Sequence, residues 1–489
     1  MRWLASFLIS FSVYAQPLVV GSKKFTESVV LGEILRLSLI HEGKPAEHRQ
    51  EIGGTTILWN ALKSGDIDIY PEYTGTIEEE LLKKKTKNFD ELKMLLRQHG
   101  IGLSAPIGFN NTYALGIKAK LSKEKNIKKI SDLCSWPDLK LGFSSEFLER
   151  KDGWPGLKER YNFSHQNILG IDHDVAYRAL IQGDIDVVDL YSTDAEIAYY
   201  DLIALEDDLN YFPSYQAVIL YRLPIEDKLK SLLSILPGKI NNETMIGLNK
   251  RAKTDKIPAD LVAADFLKQN LGAHVKTSQR SLFDRLAKTT VEHLRLVLVS
   301  MFFAILTAIP LGVIVAKRRN LGRAILILVS AIQTVPALAL LVLLIKPLAY
   351  FGLSGIGDTP ALIALFFYSL LPIVRNTLSG IQQIPENLRE TAEVLNLSFI
   401  TKLKKIELPM ALPSILAGIK IALVLNVGFA TLGALVGAGG YGQPILTGIR
   451  LDDYSLILEG ALPATALALI CQWGFDWLEK RLVSPGLKL

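Results

Sequence analysis

The sequence predicts a two-lobed α/β domain followed by an all-α domain that crosses a membrane several times. In the first half of the 489-residue chain, short apolar strand-like runs alternate with runs of helical spacing. After Val291, several apolar runs of about 20 residues follow, long enough to span a bilayer as helices. At roughly 100–200 residues per domain, the chain has room for about two to four domains.

Composition excludes several classes of protein. Lys+Arg number 54 and Asp+Glu 49, a formal net charge of +5, which argues against nucleic acid as a partner. Two cysteines, Cys134 and Cys471, cannot build a cysteine metal cluster. With 49% hydrophobic and 21% charged residues, the chain is also not disordered, collagenous or a disulfide scaffold.

Residues 1–15 have the pattern of a secretory signal peptide. Arg2 precedes an apolar stretch of about a dozen residues, with Val13 and Ala15 at positions −3 and −1 of a predicted cleavage site. The stretch is short for a transmembrane helix, although a retained N-terminal anchor is the alternative. We therefore expect residues 16–273 to lie outside the cytoplasm, in a periplasmic or extracytoplasmic space.

Residues 16–273 show the alternation of strands and helices that is typical of parallel, layered α/β sheets. The region is large for one core, which favours two lobes with a cleft between them. Glu27–Ile40 is predicted as a helix, and the strands are predicted at Leu18–Ser22, Ile67–Tyr70, Tyr113–Ile117, Asp186–Tyr191 and Ala217–Tyr221.

Two near copies of one heptapeptide support the two-lobe interpretation. Leu62–Asp68 is L-K-S-G-D-I-D and Leu180–Asp186 is L-I-Q-G-D-I-D. Each copy predicts a helix end, a glycine cap and the start of a strand, in that order. We expect the two copies to occupy equivalent positions in two similar lobes.

No enzyme motif is present in the sequence. G-x-S-x-G and H-E-x-x-H do not occur, and the seven histidines lack metal-ligand spacing. Pro237–Ile240 contains a Gly-Lys pair but lacks the other residues of a Walker A motif. The sequence therefore predicts neither a metal nor a cofactor, and any ATP hydrolysis must be supplied by another chain.

Residues 291–480 are predicted to form a membrane domain of about five spans, at 294–316, 324–345, 360–374, 413–436 and 456–473. Six spans are the alternative, if the fourth run is broken at its glycines. Residues 274–290 are predicted as a linker, and Ser281–Leu294 is amphipathic and is expected to lie on the outer membrane surface.

The charged loops set the orientation of these spans. The cluster Lys317–Arg319 and the basic loop Gln382–Leu408 fall on the same side, which the positive-inside rule assigns to the cytoplasm. The N-terminal domain is then outside, and residues 481–489 form a cytoplasmic tail. The chain is therefore predicted to be a multi-pass protein of the inner (plasma) membrane.

The cytoplasmic segment 382–409 carries a motif of about twenty residues. It resembles the E-A-A…G…I-x-L-P loop of ABC importer permeases, with Asn396 at the usual glycine position. Asparagine tolerates the left-handed conformation, so we expect the same turn to form with Asn396 in place of glycine. The resemblance implies a type I importer permease, MetI-like, in which this loop docks on a cytoplasmic ABC ATPase. The matching positions are Glu390, Ala392, Asn396, Ile406, Leu408 and Pro409.

The N-terminal half resembles the substrate-binding proteins of quaternary-amine importers, a type II periplasmic-binding-protein-like fold. The segments that carry the resemblance are Gly21–Glu27, Asp68–Thr76, Asn111–Leu115, Val188–Asp194 and Phe212–Tyr215. That family takes up the osmoprotectants glycine betaine, choline, carnitine and proline betaine, and a related branch imports ergothioneine. The chain is thus similar to a binding protein fused to its permease.

The chemistry of the ligand agrees with the residues at the matching positions. A quaternary ammonium has no N–H to donate, but aromatic faces bind it at about 0.5–2 kcal/mol per contact. The resemblance implies an aromatic cage formed by Tyr73, Tyr113, Tyr191 and Tyr215. It also implies that Lys23, Thr76 and Arg150 hold a ligand carboxylate. Three alternatives stay open: Lys24 in place of Lys23, a packing role for these tyrosines, and a surface ion pair for Arg150.

By resemblance, the lobes close on the amine, the closed domain docks on the permease, and ATP hydrolysis on a separate subunit drives import. A homodimer is expected, because one permease domain cannot enclose a path alone. The sequence leaves betaine, carnitine, choline and ergothioneine open as substrates. A ligand-gated receptor or channel is the alternative of another class, although a channel has no use for the ATPase-docking loop.

Overall fold

The computed structural model describes residues 17–275 and 281–483. The predicted signal peptide lies outside the described residues, as do part of the predicted linker and most of the predicted tail. The strands are β1 Leu18–Gly21, β2 Ala46–Arg49, β3 Ile69–Tyr73, β4 Ile101–Leu103, β5 Tyr113–Lys118, β6 Leu141–Phe143, β7 Ile168–Gly170, β8 Val187–Tyr191, β9 Leu202–Ala204 and β10 Ala217–Arg222.

These strands form two sheets of the same topology, which confirms the two-lobed α/β prediction. Their orders are β2-β1-β3-β10-β4 and β7-β6-β8-β5-β9. Lobe 1 comprises residues 17–110 and 214–275, and lobe 2 comprises residues 111–213. The chain therefore crosses between the lobes twice, and an isolated bridge between Asn110 and Gln216 joins the two crossing segments.

The α-helices of the two lobes are α1 Thr26–His41, α2 Thr55–Ser64, α3 Thr74–Thr76, α4 Phe89–Gln98, α5 Ala119–Lys125, α6 Ser145–Glu149, α7 Trp154–Tyr161, α8 His173–Gln182, α9 Glu196–Tyr199, α10 Glu226–Ile235, α11 Asn242–Lys253 and α12 Ala259–Leu271. Helix α1 is buried along most of its length and packs against α11 and α12, which places it at the centre of lobe 1.

The two heptapeptide copies occupy equivalent positions, as predicted. Gly65 ends α2 with φ 84° and Gly183 ends α8 with φ 88°, and each helix is followed by the third strand of its sheet order. Both need the left-handed conformation that glycine adopts without a Cβ clash. The last aspartates are also equivalent, since Asp68 accepts from the amide of Val19 and Asp186 from the amide of Lys140.

The prediction of purely parallel sheets is wrong. In lobe 1, β1 is parallel to β2 and β3, but β10 is antiparallel to β3 and β4. In lobe 2, β6 is parallel to β7 and β8, but β5 is antiparallel to β8 and β9. Strands β5 and β10 are the first to follow a crossing between lobes. Their direction is therefore set by that crossing, whereas helix crossovers make neighbouring strands parallel.

Residues 281–483 are all-helical, as predicted. Its α-helices are α13 Leu282–Lys317, α14 Arg319–Thr334, α15 Ala337–Tyr350, α16 Asp358–Gln382, α17 Glu386–Val394, α18 Phe399–Lys402, α19 Leu408–Ala430, α20 Gly442–Arg450 and α21 Tyr454–Leu482. Within the described residues, four helical stretches are long and apolar enough to cross a membrane, and five if α14 and α15 form one span.

Two predicted elements of this domain differ from the structure. The amphipathic segment Ser281–Leu294 is not a separate surface helix, because a capping box of Ser281 and Asp284 starts α13 and the helix continues into the first span. The second predicted span is bent by 103° between α14 and α15. Pro336 follows Val335 there, and proline disfavours helical backbone at the residue before it.

Helices α13, α16 and α19 form the core of the membrane domain. Asn426 of α19 is 1% exposed and donates to Ser369 Oγ of α16 at 2.7 Å and to Ser300 Oγ of α13 at 3.2 Å. Interhelical hydrogen bonds of this kind compensate for the cost of burying an amide in an apolar core. This polar contact fixes the three helices relative to one another.

Candidate ligand site between the lobes

Aromatic rings converge where the two lobes meet, and we call them the aromatic cluster. The ring centroid of Tyr113 lies 5.3 Å from that of Tyr191 and 5.6 Å from that of Tyr215. The Tyr191 ring is 5.6 Å from Phe25, which is 6.2 Å from Tyr73. Three of the four predicted cage tyrosines are thus in direct ring contact, and Phe25 connects Tyr73 to them.

Strand ends place these rings together. Tyr113 begins β5 and Tyr191 ends β8, and the two residues are direct partners in the antiparallel register. Tyr73 ends β3, opposite Ala217 of β10, and Tyr215 comes two residues earlier in the returning crossing segment. Residues that are directly opposite on one face of a sheet have neighbouring side chains. The cluster is therefore a consequence of register at the interlobe edges of both sheets.

Two further phenylalanines belong to the aromatic cluster. Phe147 of α6 lies 5.1 Å from the Tyr113 ring, and Phe212 lies 6.1 Å from it. Sequence reasoning did not select Phe25, Phe147 or Phe212 as site residues. Phe25 and Phe212 do lie within the segments that carry the family resemblance. Their position in those segments is the feature of the sequence that could have identified them as site residues.

Glu27, next to Phe25, is a buried carboxylate that connects the lobes. It accepts hydrogen bonds from Tyr73 Oη at 2.6 Å, Asn111 Nδ2 at 2.8 Å, Thr193 Oγ1 at 2.5 Å and Asn249 Nδ2 at 3.0 Å. Burial raises the pKa of Glu27, and these donors oppose that effect. Thr193 belongs to lobe 2 and Tyr73 to lobe 1, so Glu27 bonds both lobes at the cluster.

Lys23, predicted to hold a ligand carboxylate, is buried and already forms an ion pair. Its Nζ lies 2.5 Å from Oε1 of Glu72, which is completely buried, and 5.4 Å from the Tyr73 ring centroid. Burial raises the pKa of Glu72, while Lys23 opposes that effect. Lys24, the competing candidate, is exposed. The structure therefore brings Lys23, and not Lys24, to the cluster.

Arg150 does not form a surface ion pair, because its side chain is only 9% exposed. Its guanidinium lies 5.8 Å from the Tyr113 ring, pairs with Asp152, and donates to Glu80 Oε2 of lobe 1 at 2.6 Å. Tyr215 Oη donates to the same Asp152 at 2.6 Å. Burial by itself lowers the pKa of Arg150, but Tyr113 and Asp152 outweigh it and the net shift is upward. Arg150 thus joins the cage tyrosines to an interlobe ion pair.

Thr76 is also buried at this interface, at the end of α3. A Cβ at the preceding Gly75 would lie 2.7 Å from ring carbons of Tyr215, so the backbone approaches that ring closely. Tyr70, in contrast, packs in a different part of lobe 1, with Leu58 and Leu62, and is completely buried. The alternation of side chains along β3 separates Tyr70 from Tyr73.

His173 of α8 is a polar neighbour that sequence reasoning missed. Its ring centroid lies 4.6 Å from that of Tyr191, and its Nε2 lies 3.2 Å from Oδ2 of Asp194. Burial lowers its pKa, but the carboxylates of Asp189 and Asp194 more than compensate and raise the pKa well above 6.5. Asp194 also accepts from the amide of Tyr191, which holds the end of β8 in place.

A second interlobe ion pair lies beside this site. Lys253 of lobe 1 pairs with Asp174 and Glu196 of lobe 2. Burial lowers the pKa of Lys253, but the two carboxylates raise it further. Together with Glu27 and Arg150, this pair holds the lobes in the closed arrangement that the structure describes.

An open cleft of about 480 Å³ lies between the lobes and is lined by neighbours of the aromatic cluster. Glu79 of lobe 1 and Lys151, Asp152 and Tyr211 of lobe 2 contribute to its walls. Asp152, the partner of Arg150, lines this cleft and also bonds Tyr215 of the cluster. Tyr211, which also lines the cleft, lies 5.2 Å from the ring of Phe212, a second link between this polar cleft and the aromatic cluster.

The predicted ATPase-docking segment has the expected local geometry. Asn396 lies between α17 and α18 with φ 48°, the left-handed conformation predicted for it. Glu390 and Ala392 lie in α17, and Ala392 is buried while Val394 is 85% exposed. Ile406 lies in a π-helical turn, and Leu408 and Pro409 begin α19. The segment joins α16 to α19, two helices of the membrane core.

Comparison with known proteins covers both halves of the chain. Residues 16–269 match the substrate binding domain of ABC-type glycine betaine transport systems. Residues 308–484 match the binding-protein-dependent transport system inner membrane component. Both are transporter families rather than enzyme families.

Individual relatives each match about half of the chain. The osmoprotectant import permease protein OsmW of Salmonella typhimurium is 38% identical over 42% of this chain and 94% of its own length. The ergothioneine transport permease/ergothioneine binding protein EgtU of Helicobacter pylori is 35% identical over 53% of this chain and 48% of its own. A solved structure of a glycine betaine/carnitine/choline ABC transporter is 31% identical over 52% of this chain and 98% of its own, with a TM-score of 0.44.

The family match to the binding domain covers more than half of the chain, and OsmW is matched along nearly its whole length. The chain therefore belongs to the ABC-type glycine betaine transport family, and it joins a substrate-binding domain to a binding-protein-dependent permease domain.

Proposed function

We propose that this chain imports small trimethylammonium compounds and binds them at the aromatic cluster. The observation that carries this proposal is the ring contact of Tyr113 with both Tyr191 and Tyr215, at 5.3 and 5.6 Å, where the lobes meet. A cation between such rings is bound by their quadrupoles, at about 0.5–2 kcal/mol per ring. Separation of the lobes gives the ligand access, and closure surrounds it with rings from both sides.

The carboxylate of a zwitterionic ligand binds next to Arg150 and Lys23, with Thr76 as a neighbouring hydroxyl. Both cations are already paired with protein carboxylates, Arg150 with Asp152 and Lys23 with Glu72. A ligand carboxylate must therefore compete with those carboxylates, whereas a ligand without one leaves both pairs intact. This competition between carboxylates determines how the site discriminates betaine, which carries a carboxylate, from choline, which does not.

The family match supports the remaining parts of the proposal. The binding domain, residues 16–273, is extracytoplasmic and follows a signal peptide, and residues 291–480 form the permease in the inner membrane. The segment 382–409 docks on a separate cytoplasmic ABC ATPase, through Glu390, Ala392, Asn396, Ile406, Leu408 and Pro409. Two copies of the chain form the transport path with two ATPase subunits.

Ergothioneine is the second candidate substrate. The relative from Helicobacter pylori is named as both a permease and an ergothioneine binding protein, which is the same combination of domains as in this chain. Ergothioneine also carries a trimethylammonium group and a carboxylate, so the aromatic cluster and Arg150 serve it equally. Its ring needs additional space, which the cleft beside Asp152 offers.

The test is calorimetric titration of the full chain in lipid nanodiscs with glycine betaine, carnitine, choline and ergothioneine. We expect one of these ligands to bind, and its affinity to fall in Tyr191→Leu. Phe163→Leu is the matched control, because Phe163 is also a buried aromatic residue of lobe 2 but stacks on Trp154, 5.4 Å away, outside the cluster. Absence of binding by all four ligands, with a folded protein, would refute the proposed substrate class.

A further inference from the structure

One buried carboxylate of the binding domain, Glu51, contacts the permease domain. Glu51 accepts hydrogen bonds from Gln443 Nε2 and Thr447 Oγ1, both at 2.9 Å, and forms an ion pair with Arg450. The spacing of the three partners places them on one face of α20. The side chains of Glu51 and Arg450 are only 3% and 6% exposed, so both charges are removed from water and compensate each other.

The backbone at Glu51 supports a specific role for this contact. Glu51 has φ 58°, a left-handed conformation that is unfavourable for residues with a Cβ. Such conformations persist where surrounding contacts hold them and concentrate at functional positions. The Glu51 amide also donates to Ser22 Oγ at 3.4 Å, next to the site residue Lys23.

Arg450 extends from this ion pair toward the ligand site. Its Nη1 donates to Thr26 Oγ1 at 3.2 Å. Thr26 lies between Phe25, a member of the aromatic cluster, and Glu27, which bonds both lobes. A permease side chain therefore contacts the same short segment of lobe 1 that builds the ligand site.

The next turn of the permease contacts both lobes at once. The backbone oxygen of Asp452 accepts from Lys256 Nζ of lobe 1 at 2.9 Å, and its Oδ1 lies 3.0 Å from Arg178 Nη1 of lobe 2. Asp452 lies between α20 and the membrane helix α21, with φ 49°. Arg178 and Lys256 belong to lobes that move apart when the cleft opens. Asp452 can hold both contacts only when the lobes are closed.

We propose that Arg450 and Asp452 form a contact that is sensitive to closure of the binding domain. Arg450 holds lobe 1 through Glu51, while Asp452 gains Arg178 only when lobe 2 has closed. This inference rests on the proposed function, since closure is attributed to binding of the amine. Through α21, which begins two residues after Asp452, the membrane domain then senses whether the binding domain is occupied.

The contact can be tested by cross-linking of the full chain in nanodiscs, without any ligand. In a background with Cys134→Ser and Cys471→Ser, a short bifunctional thiol reagent links D452C to R178C in lobe 2. The companion variant pairs the same D452C with K256C in lobe 1. We expect both pairs to cross-link in the otherwise unchanged chain.

The decisive comparison adds Lys253→Gln, which removes the buried interlobe ion pair and favours open lobes. We expect the yield from R178C to fall at least about fivefold, a typical coupling between sites, and the yield from K256C to stay unchanged. Equal losses from both pairs would show that the whole domain undocks. Unchanged yields would show that Asp452 does not respond to closure. Either result overturns the inference.

A functional arm uses Arg178→Gln in the full chain assembled with its ATPase. We expect amine uptake to fall at least about fivefold and the dissociation constant of the amine to rise with it, because a contact made only by closed lobes also favours binding of the amine. Lys268→Gln, an exposed charge change on α12, is the control. Normal uptake by Arg178→Gln would refute a role in transport. Failure of the wild type to bind any of the four amines refutes the proposed function instead, and the cross-linking comparison still tests the contact.

Discussion

Replacement of Tyr113 by leucine tests whether the aromatic cluster binds a cation rather than a merely apolar group. Tyr113 is the central ring, with centroids of Tyr191, Tyr215 and Phe147 at 5.3, 5.6 and 5.1 Å. Loss of one cation–π contact removes about 0.5–2 kcal/mol. At about 1.4 kcal/mol per tenfold, this raises the dissociation constant about 2- to 30-fold.

The assay separates charge from shape by a pair of ligands. Choline and 3,3-dimethylbutanol have the same shape, but only choline is charged. Calorimetry on the full chain in nanodiscs measures the ratio of their affinities. We expect the wild type to prefer choline, Tyr113→Phe to keep that preference because the ring is kept, and Tyr113→Leu to lose most of it.

The control accounts for packing, because Tyr113 is only 5% exposed and its truncation leaves a gap in the interface. Phe163 is equally buried, at 5% exposure, but outside the cluster, so Phe163→Leu should change neither affinity nor preference. If Tyr113→Leu binds both ligands more weakly by the same factor, the ring contributes only apolar surface. That outcome would refute the cation–π argument.

Three further predictions concern the binding domain, the ATPase-docking segment and the membrane core. The pKa of His173 is raised well above 6.5 in the folded chain, so its proton stabilises the binding domain fully below about pH 6.5, and this contribution is lost as the pH rises through the folded-state pKa. Thermal unfolding between about pH 6 and 9 should therefore show a decline in the wild type that His173→Gln lacks, and parallel curves would contradict it. Asn396→Val forces a β-branched residue into a left-handed position at a cost of about 1–2 kcal/mol, so ATP-driven uptake should fall. Asn396→Gly should keep normal uptake, because glycine adopts that conformation freely. Equal uptake by both variants would show that transport does not depend on this left-handed turn. Asn426→Ala removes the interhelical hydrogen bonds and should lower the free energy of unfolding in detergent by about 0.6–1.7 kcal/mol. An unchanged free energy of unfolding would show that these hydrogen bonds do not stabilise the membrane domain.

Much of the fold could be predicted because its signals are local. Alternating apolar runs, helix ends and glycine caps are encoded within a few residues, and Gly65 and Gly183 appear at equivalent positions of the two lobes. Sheet direction was predicted incorrectly for β5 and β10. Their direction depends on where the chain crosses between lobes, and no local pattern records that event.

The candidate site was likewise predictable only in part. Tyr73, Tyr113, Tyr191 and Tyr215 were selected from short motifs, and three of them are in ring contact in the structure. The partners of those residues were not predictable. Phenylalanines and histidine lack a distinctive spacing, and their proximity to the cluster arises only when the two sheets face each other.

By itself, the sequence determined the class of protein and the order of its two domains, and it predicted the chemistry of the ligand and the segment that docks on an ATPase. Only the tertiary structure decided which charged side chains are already paired within the protein. It pairs Lys23 with Glu72 and Arg150 with Asp152, and it buries Glu51 against Arg450, almost 400 positions later in the chain. The physical reason is that an ion pair forms only when its two charged groups come within about 4 Å of each other. Distances between residues far apart in sequence are set by folding and not by local pattern.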